Sequence, residues 1–297
     1  MKPSHSLYVA IRGLSYHVRS WGDEAAPKLF MLHGWMDVGA SFQFLVDALQ
    51  REWHVLAPDW RGFGDSEWCP DGYWFADYLA DLDALLTHFA PGEPARLVGH
   101  SLGGNVACVY AGVRPQRVQR VVSLDGFGIP AERSEQAPDK LAKWLDALAD
   151  PPSFAPYANL AAVADRLQKN SPRLSRDRAE FLARHWAKAL PDGTAALVSD
   201  PRHKLPFPTV HRMEEVLAVW RRITAPVLWV AATESFIPKW LSAHPEGEGA
   251  TDGLVSIRAR LAHVPHGKLI AVSEAGHMLH LDRPDAVAAA IEPFLAA

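Results

Sequence analysis

Short apolar runs alternate along the chain with amphipathic stretches, and this rhythm predicts strands interleaved with helices. Leu7–Arg12 and Leu14–Ser20 alternate apolar and polar positions on either side of Gly13, the pattern of two antiparallel strands joined by a tight turn. Lys28–Leu32, His54–Ala57, a run ending at Arg96–Val98, and Val118–Leu124 are mostly apolar and of strand length, as buried parallel strands require. Between them, Phe42–Glu52 sets Phe42, Leu45, Val46 and Leu49 on one helical face, with Ser41 as its cap. Phe75–Phe89 repeats the pattern with Tyr78, Leu82, Leu85, Leu86 and Phe89. Asn105–Arg114 is a helix whose Ala107 and Ala111 permit close approach to a sheet.

After Gly126 the rhythm changes. From Phe127 to Trp220 no strand pattern stands out, and helices are expected at Asp139–Leu148, Leu160–Lys169, Arg178–Ala189 and Met213–Arg222. The first three predict a helical insertion over 127–212, and the fourth returns the chain to the sheet. Strand–helix alternation resumes with Pro226–Ala231, Gly253–Val264, Lys268–Val272 and Pro284–Leu295, and His244–Asp252, rich in glycine and acids, reads as a loop. The expected fold is α/β: a mostly parallel sheet with helices on both faces, built from 1–126 and 213–297.

Composition narrows the classes. A length of 297 residues suits an α/β domain with an insertion, and 22% charged residues with a net charge of −4 and no basic run argue against nucleic-acid or acidic-membrane partners. Cys69 and Cys108 have neither metal-like nor disulfide-framework spacing, and Cys108 reads as a small buried apolar residue. Met1–Leu14 lacks a signal-peptide core and no stretch approaches membrane-spanning length, so a soluble, cytoplasmic protein is expected.

The chemistry centres on Gly99-His100-Ser101-Leu102-Gly103, set between a strand and a helix. That context distinguishes a nucleophile elbow from a glycine-rich connection with an incidental serine. A serine hydroxyl needs an adjacent base, itself oriented by a third group. His277 stands at a strand end after Gly276, in the chain order such a base requires. Its surroundings separate it from His244, His263, His266 and His280, which read as surface or packing residues. Asp125 and Glu234 both stand at strand ends, and either carboxylate can orient the imidazole; Asp125, followed directly by Gly126 and with no other acidic residue close by, is the expected acid and Glu234 the alternative. The N–H groups of Leu102 and Trp35 are the expected oxyanion donors, with His33 and Gly34 shaping the turn before Trp35. Asp59 and Arg61 are expected to brace their own loop through an ion pair. Met36, His100, Trp144 and Trp186 are the candidate pocket residues, Trp144 and Trp186 being contributed by the insertion.

Taken together, His33-Gly34-Trp35, Asp59-Trp60-Arg61-Gly62-Phe63-Gly64-Asp65-Ser66, Gly99-His100-Ser101-Leu102-Gly103-Gly104 and Gly276-His277 resemble the α/β-hydrolase superfamily. Within it, His33-Gly34-Trp35-Met36-Asp37 followed by Ser41-Phe42 is similar to the serine hydrolase-like subgroup. The resemblance implies an eight-stranded sheet, a cap over the site formed by 127–212, and no cofactor or metal. It places the acid most often after the seventh strand in Gly-x-x-Asp, where this chain has Ala232-Thr233-Glu234-Ser235. Some members, including a branch of the haloalkane dehalogenases, use the end of the sixth strand instead, which corresponds to Asp125. The expected activity is hydrolysis of a carboxylic ester, or related acyl bond, of a small apolar substrate through an acyl-enzyme at Ser101. Carbon–carbon or amide hydrolysis and acyl transfer are rivals on the same scaffold, and a non-catalytic ligand-binding receptor is a rival of another class.

Overall fold

The alternation resolves into one large sheet covered on both faces. A computed structural model describes residues 1–242 and 253–297; the stretch 243–252, which includes the expected loop His244–Asp252, lies outside the described residues. In chain order the strands are β1 (Ser4–Ile11), β2 (Leu14–Trp21), β3 (Lys28–Leu32), β4 (His54–Pro58), β5 (Ala95–His100), β6 (Val118–Leu124), β7 (Ala187–Ala189), β8 (Ala195–Leu197), β9 (Val227–Ala232) and β10 (Gly267–Val272). The helices are α1 (Gln43–Ala48), α2 (Phe75–Phe89), α3 (Leu102–Val113), α4 (Ala137–Ala149), α5 (Leu160–Asn170), α6 (Arg176–Trp186), α7 (Met213–Trp220), α8 (Ile237–Ser242), α9 (Gly253–Leu261), α10 (Leu279–Asp282) and α11 (Pro284–Ala296). No helix among the described residues is long and apolar enough to cross a membrane.

The eight-stranded sheet runs β1-β2-β4-β3-β5-β6-β9-β10. β1 pairs antiparallel with β2 and β2 antiparallel with β4, and all other pairs are parallel. Strand order reverses between β3 and β5, and in open sheets of this kind the crevice at such a reversal, outside the carboxyl ends, is where sites form.

β9 shows how the sequence builds two cores. Val227, Trp229 and Ala231 join the cluster under α2, α3 and α7, whereas Leu228, Val230 and Ala232 join the one under α1 and α11. The side-chain period of two sends successive residues to opposite faces, so a strand covered on both sides must be apolar throughout. Each such Val or Leu contributes about 1.5–3 kcal/mol when fully buried.

The segment between β6 and α7, the expected insertion, has a third cluster, in which Val163, Leu167, Leu182 and Ala183 of α5 and α6 pack with Phe44 of α1 and Leu281 of α10. Two expectations are corrected here. The run read as helix to Ala189 stops at Trp186, and β7 pairs antiparallel with β8. The turn Pro191-Asp192-Gly193 enforces this: Gly193 has φ +86°, and the Asp192 carboxylate accepts from the Thr194 N–H (2.9 Å) and hydroxyl (2.6 Å). Phe42–Glu52 likewise divides into a 3-10 turn over Gly39–Phe42 and the six-residue α1. Ser41 caps nothing and donates its hydroxyl to the Asp37 carboxylate.

Asp59 and Arg61 brace their loop, but not through each other. Arg61 forms a bidentate pair with the buried Asp81 of α2 (2.6 Å for both bonds). Asp59 meets His17 Nδ1 at 2.7 Å and accepts the N–H groups of Gly39 (2.7 Å) and Asp65 (3.0 Å). His33 closes the neighbouring turn in one tautomer, donating Nδ1–H to Gly34 O (2.7 Å) and accepting the Trp60 N–H at Nε2 (2.8 Å). Burial lowers its pKa to about 4, in keeping with that neutral form.

Candidate active site

At the end of β5 the backbone turns sharply into α3 through Ser101, at φ +50° and ψ −113°. Close approach demands the flanking glycines. A Cβ at Gly99 would run into the carbonyl of Gly103, and one at Gly103 into the carbonyl of Leu32. Ser101 is held by its N–H to Leu124 O (2.9 Å) and by its carbonyl, which accepts from Asn105 N–H (3.0 Å).

Strain is concentrated at this edge of the sheet. Among the described residues, the non-glycine positions with positive φ are Arg12, Met36, Ser101, Asp125 and Glu274. Arg12 belongs to the β1–β2 turn, and the other four follow β3, β5, β6 and β10. Such backbone persists only where the surroundings over-determine it, commonly at functional sites.

Three of the expected residues are brought together. His277 Nδ1 lies 2.7 Å from Asp125 Oδ2, and His277 Nε2 lies 3.1 Å from Ser101 Oγ. Asp125 is acceptor-only when ionised, so Nδ1 carries the proton and Nε2 presents its lone pair to the hydroxyl. The Asp125 side chain is fully buried, whereas His277 keeps 20% of its side-chain surface. Asp125 also accepts the Ser235 hydroxyl. The serine standing where Gly-x-x-Asp would place an acid therefore donates to the carboxylate on the adjacent strand.

Glu234 is not brought to the imidazole: its side chain is half-exposed and pairs with Arg173. Its N–H, donating to Ala275 O at 2.9 Å, ties the β9 loop to the loop carrying His277. A Cβ at Gly34 would lie 3.2 Å from the Ser101 Cβ, so the loop after β3 runs against the elbow with Trp35 and Met36 following. Trp35 is half-exposed, with its indole N–H on the His203 carbonyl (3.3 Å), and Met36 packs against the core under α3.

The remaining pocket expectations fare differently. His100 lines no open wall; it is buried, and its Nε2–H donates to the His277 carbonyl (2.9 Å). Trp186 ties the insertion to the core through Nε1–H on Asp37 Oδ1 (3.1 Å) and contacts with Val38 and Ala40. Trp144 lies on α4, none of whose side chains is buried. A groove of about 420 Å³ in the insertion, lined by Phe154, Tyr157, Leu197 and Lys204 among others, includes none of Ser101, Asp125 and His277.

Sequence reasoning missed Ser235 and Phe236. The ring of Phe236, 58% exposed, lies 5.0 Å from that of His277. Their signal was position: both follow directly on the apolar run of β9, at the carboxyl edge.

The alpha/beta hydrolase fold family matches residues 27–284. A serine hydrolase-like protein of Danio rerio is 26% identical over 286 residues, covering 93% of this chain and 83% of that protein. Among solved structures, the thioesterase domain from the curacin biosynthetic pathway superposes with a TM-score of 0.82 at 24% identity, covering 98% of this chain and 99% of the domain. A hypothetical protein from Pseudomonas aeruginosa PAO1 superposes with a TM-score of 0.83 at 26% identity, covering 98% of both chains.

Proposed function

The chain belongs to the alpha/beta hydrolase fold family, with serine hydrolase-like proteins among its relatives, and from that premise we propose that it cleaves carboxylic esters through an acyl-enzyme on Ser101. The observation that carries this reading is the continuous run from buried carboxylate through imidazole to hydroxyl, at 2.7 and 3.1 Å.

In the proposed reaction, Ser101 Oγ adds to the acyl carbon as its proton passes to His277 Nε2. The carbonyl oxygen takes the negative charge, facing the N–H groups of Leu102, at the start of α3, and of Trp35. Collapse of this adduct expels the alcohol, protonated by His277, and leaves an ester on Ser101. A water then adds to that ester, giving its proton to His277, and the acid departs as the Ser101 hydroxyl is restored. Asp125 holds the tautomer and stabilises the imidazolium formed at each addition.

Residues 127–212 act as the cap. The exposed rings of Trp35 (50%) and Phe236 (58%) make an apolar approach suited to small, weakly polar acyl or alcohol groups. A fluorophosphonate probe tests the reading directly. It should label Ser101 and block hydrolysis of p-nitrophenyl butyrate, and Ser101→Ala should lose both labelling and turnover while keeping its circular dichroism spectrum. A folded parent chain that neither takes the label nor turns over short esters would instead be a binding protein on a hydrolase scaffold.

A further inference from the structure

Beside His277 lies a buried cluster that ester hydrolysis does not use. Asp37 in the turn after β3, His100 at the end of β5 and His280 of α10 each bring one donor atom within 4.8 Å of the others. Their exposures are 2%, 1% and 0%. Among the described residues, Asp37 Oδ2, His100 Nδ1 and both ring nitrogens of His280 have no hydrogen-bond partner. Each buried polar atom left unsatisfied costs about 1–3 kcal/mol, and three of these four, one from each side chain, can be taken up by a single ion. A second grouping, His17, Asp59 and Asp65, shows the contrast. There His17 and Asp59 are engaged by one another, by Ser6 and by backbone N–H groups, and the cluster satisfies itself.

We propose that Asp37, His100 and His280 form a binding site for one divalent transition-metal ion of the zinc type. Two imidazole nitrogens and one carboxylate oxygen are the donors that zinc, cobalt, nickel and copper favour, whereas magnesium and calcium favour all-oxygen sets. The surroundings orient these donors as metal sites do. His100 gives its Nε2–H to the His277 carbonyl (2.9 Å), which leaves the Nδ1 lone pair free for an ion. Asp37 Oδ1 is engaged by the Ser41 hydroxyl and the Trp186 indole N–H, leaving Oδ2 as the free oxygen. The His280 ring is held between those of His100 and Phe42, with centroids at 4.5 and 5.2 Å.

The test uses the full chain, freed of metal with a chelator and given one equivalent of Zn²⁺ or Co²⁺. About one ion per chain should remain after gel filtration, and Co²⁺ should develop a visible absorption band. Anomalous diffraction at the zinc edge should place the ion roughly 2.0–2.2 Å from the three named donors. His280→Gln and Asp37→Asn should each weaken binding at least tenfold. Water in the cluster without anomalous signal, or zinc only on surface histidines, overturns the site whatever the activity and whether or not the variants fold.

Discussion

Asp125 is a carboxylate without exposed side-chain surface, held by the imidazole N–H of His277 and the hydroxyl of Ser235. Exchanging it for an amide introduces a donor where an acceptor is needed and favours the tautomer with Nδ1 unprotonated. Asp125→Asn is therefore expected to lower kcat about 10⁴-fold, as in comparable triads. Glu234→Gln should leave kcat within a few-fold of the parent, because that side chain pairs with Arg173 and not with His277. Ester kinetics on the two variants check both outcomes, and the reverse ranking would make Glu234 the acid. At this scale the elbow is legible because its cause is local: glycines flank a serine between a strand and a helix. The acid is legible only as a preference for Asp125 over Glu234, because the two follow adjacent strands, β6 and β9, and the choice depends on tertiary contacts made by Arg173 and Ser235.

Among the elements, the turn at Pro201–Lys204 couples the end of the insertion to the loop after β4. The His203 ring stacks on Phe63 and Tyr73 (centroids 3.7 and 3.6 Å), and its Nε2–H donates to Arg61 O at 3.1 Å. Burial lowers its pKa from 6.5 to about 3. Between those values the unfolded chain takes up a proton that the folded one refuses. The stabilisation is complete above pH 6.5 and drains away as pH falls toward 3, at about 1.4 kcal/mol per pH unit from this group. His203→Gln should flatten the acid limb of stability by that slope. Urea denaturation at intervals between about pH 4.5 and 6.5 measures it, and an unchanged slope would remove His203 from the account. Pattern locates Lys28–Leu32, Val118–Leu124 and Phe75–Phe89 without error, since the two strands are apolar runs of strand length and the helix buries one regular face. It misses β7 and β8 because three residues per strand cannot display a period, and the turn between them sets the pairing.

Across the whole molecule, stability is unevenly shared. α3 is packed between the sheet and its neighbours α2 and α7, and nine of its twelve residues are buried. α4, in the insertion, has no buried residue. Its backbone hydrogen bonds open with little apolar surface to expose, so its amides should exchange with deuterium orders of magnitude faster than those of α3. Peptide-resolved exchange measures this, and equal protection would show α4 to be clamped in solution by contacts this structure lacks. The two-sided sheet could be foreseen from pattern alone, but the share of stability held by each helix could not, because it depends on what lies across from each face. The position of β10 has a further consequence. It closes one margin of the sheet, pairs only with β9, and launches the loop that carries His277. On the proposed roles, a nascent chain emerging from the ribosome presents Ser101 and Asp125 long before it has an imidazole to join them. On those same roles, hydrolytic competence is withheld until this marginal strand docks against β9.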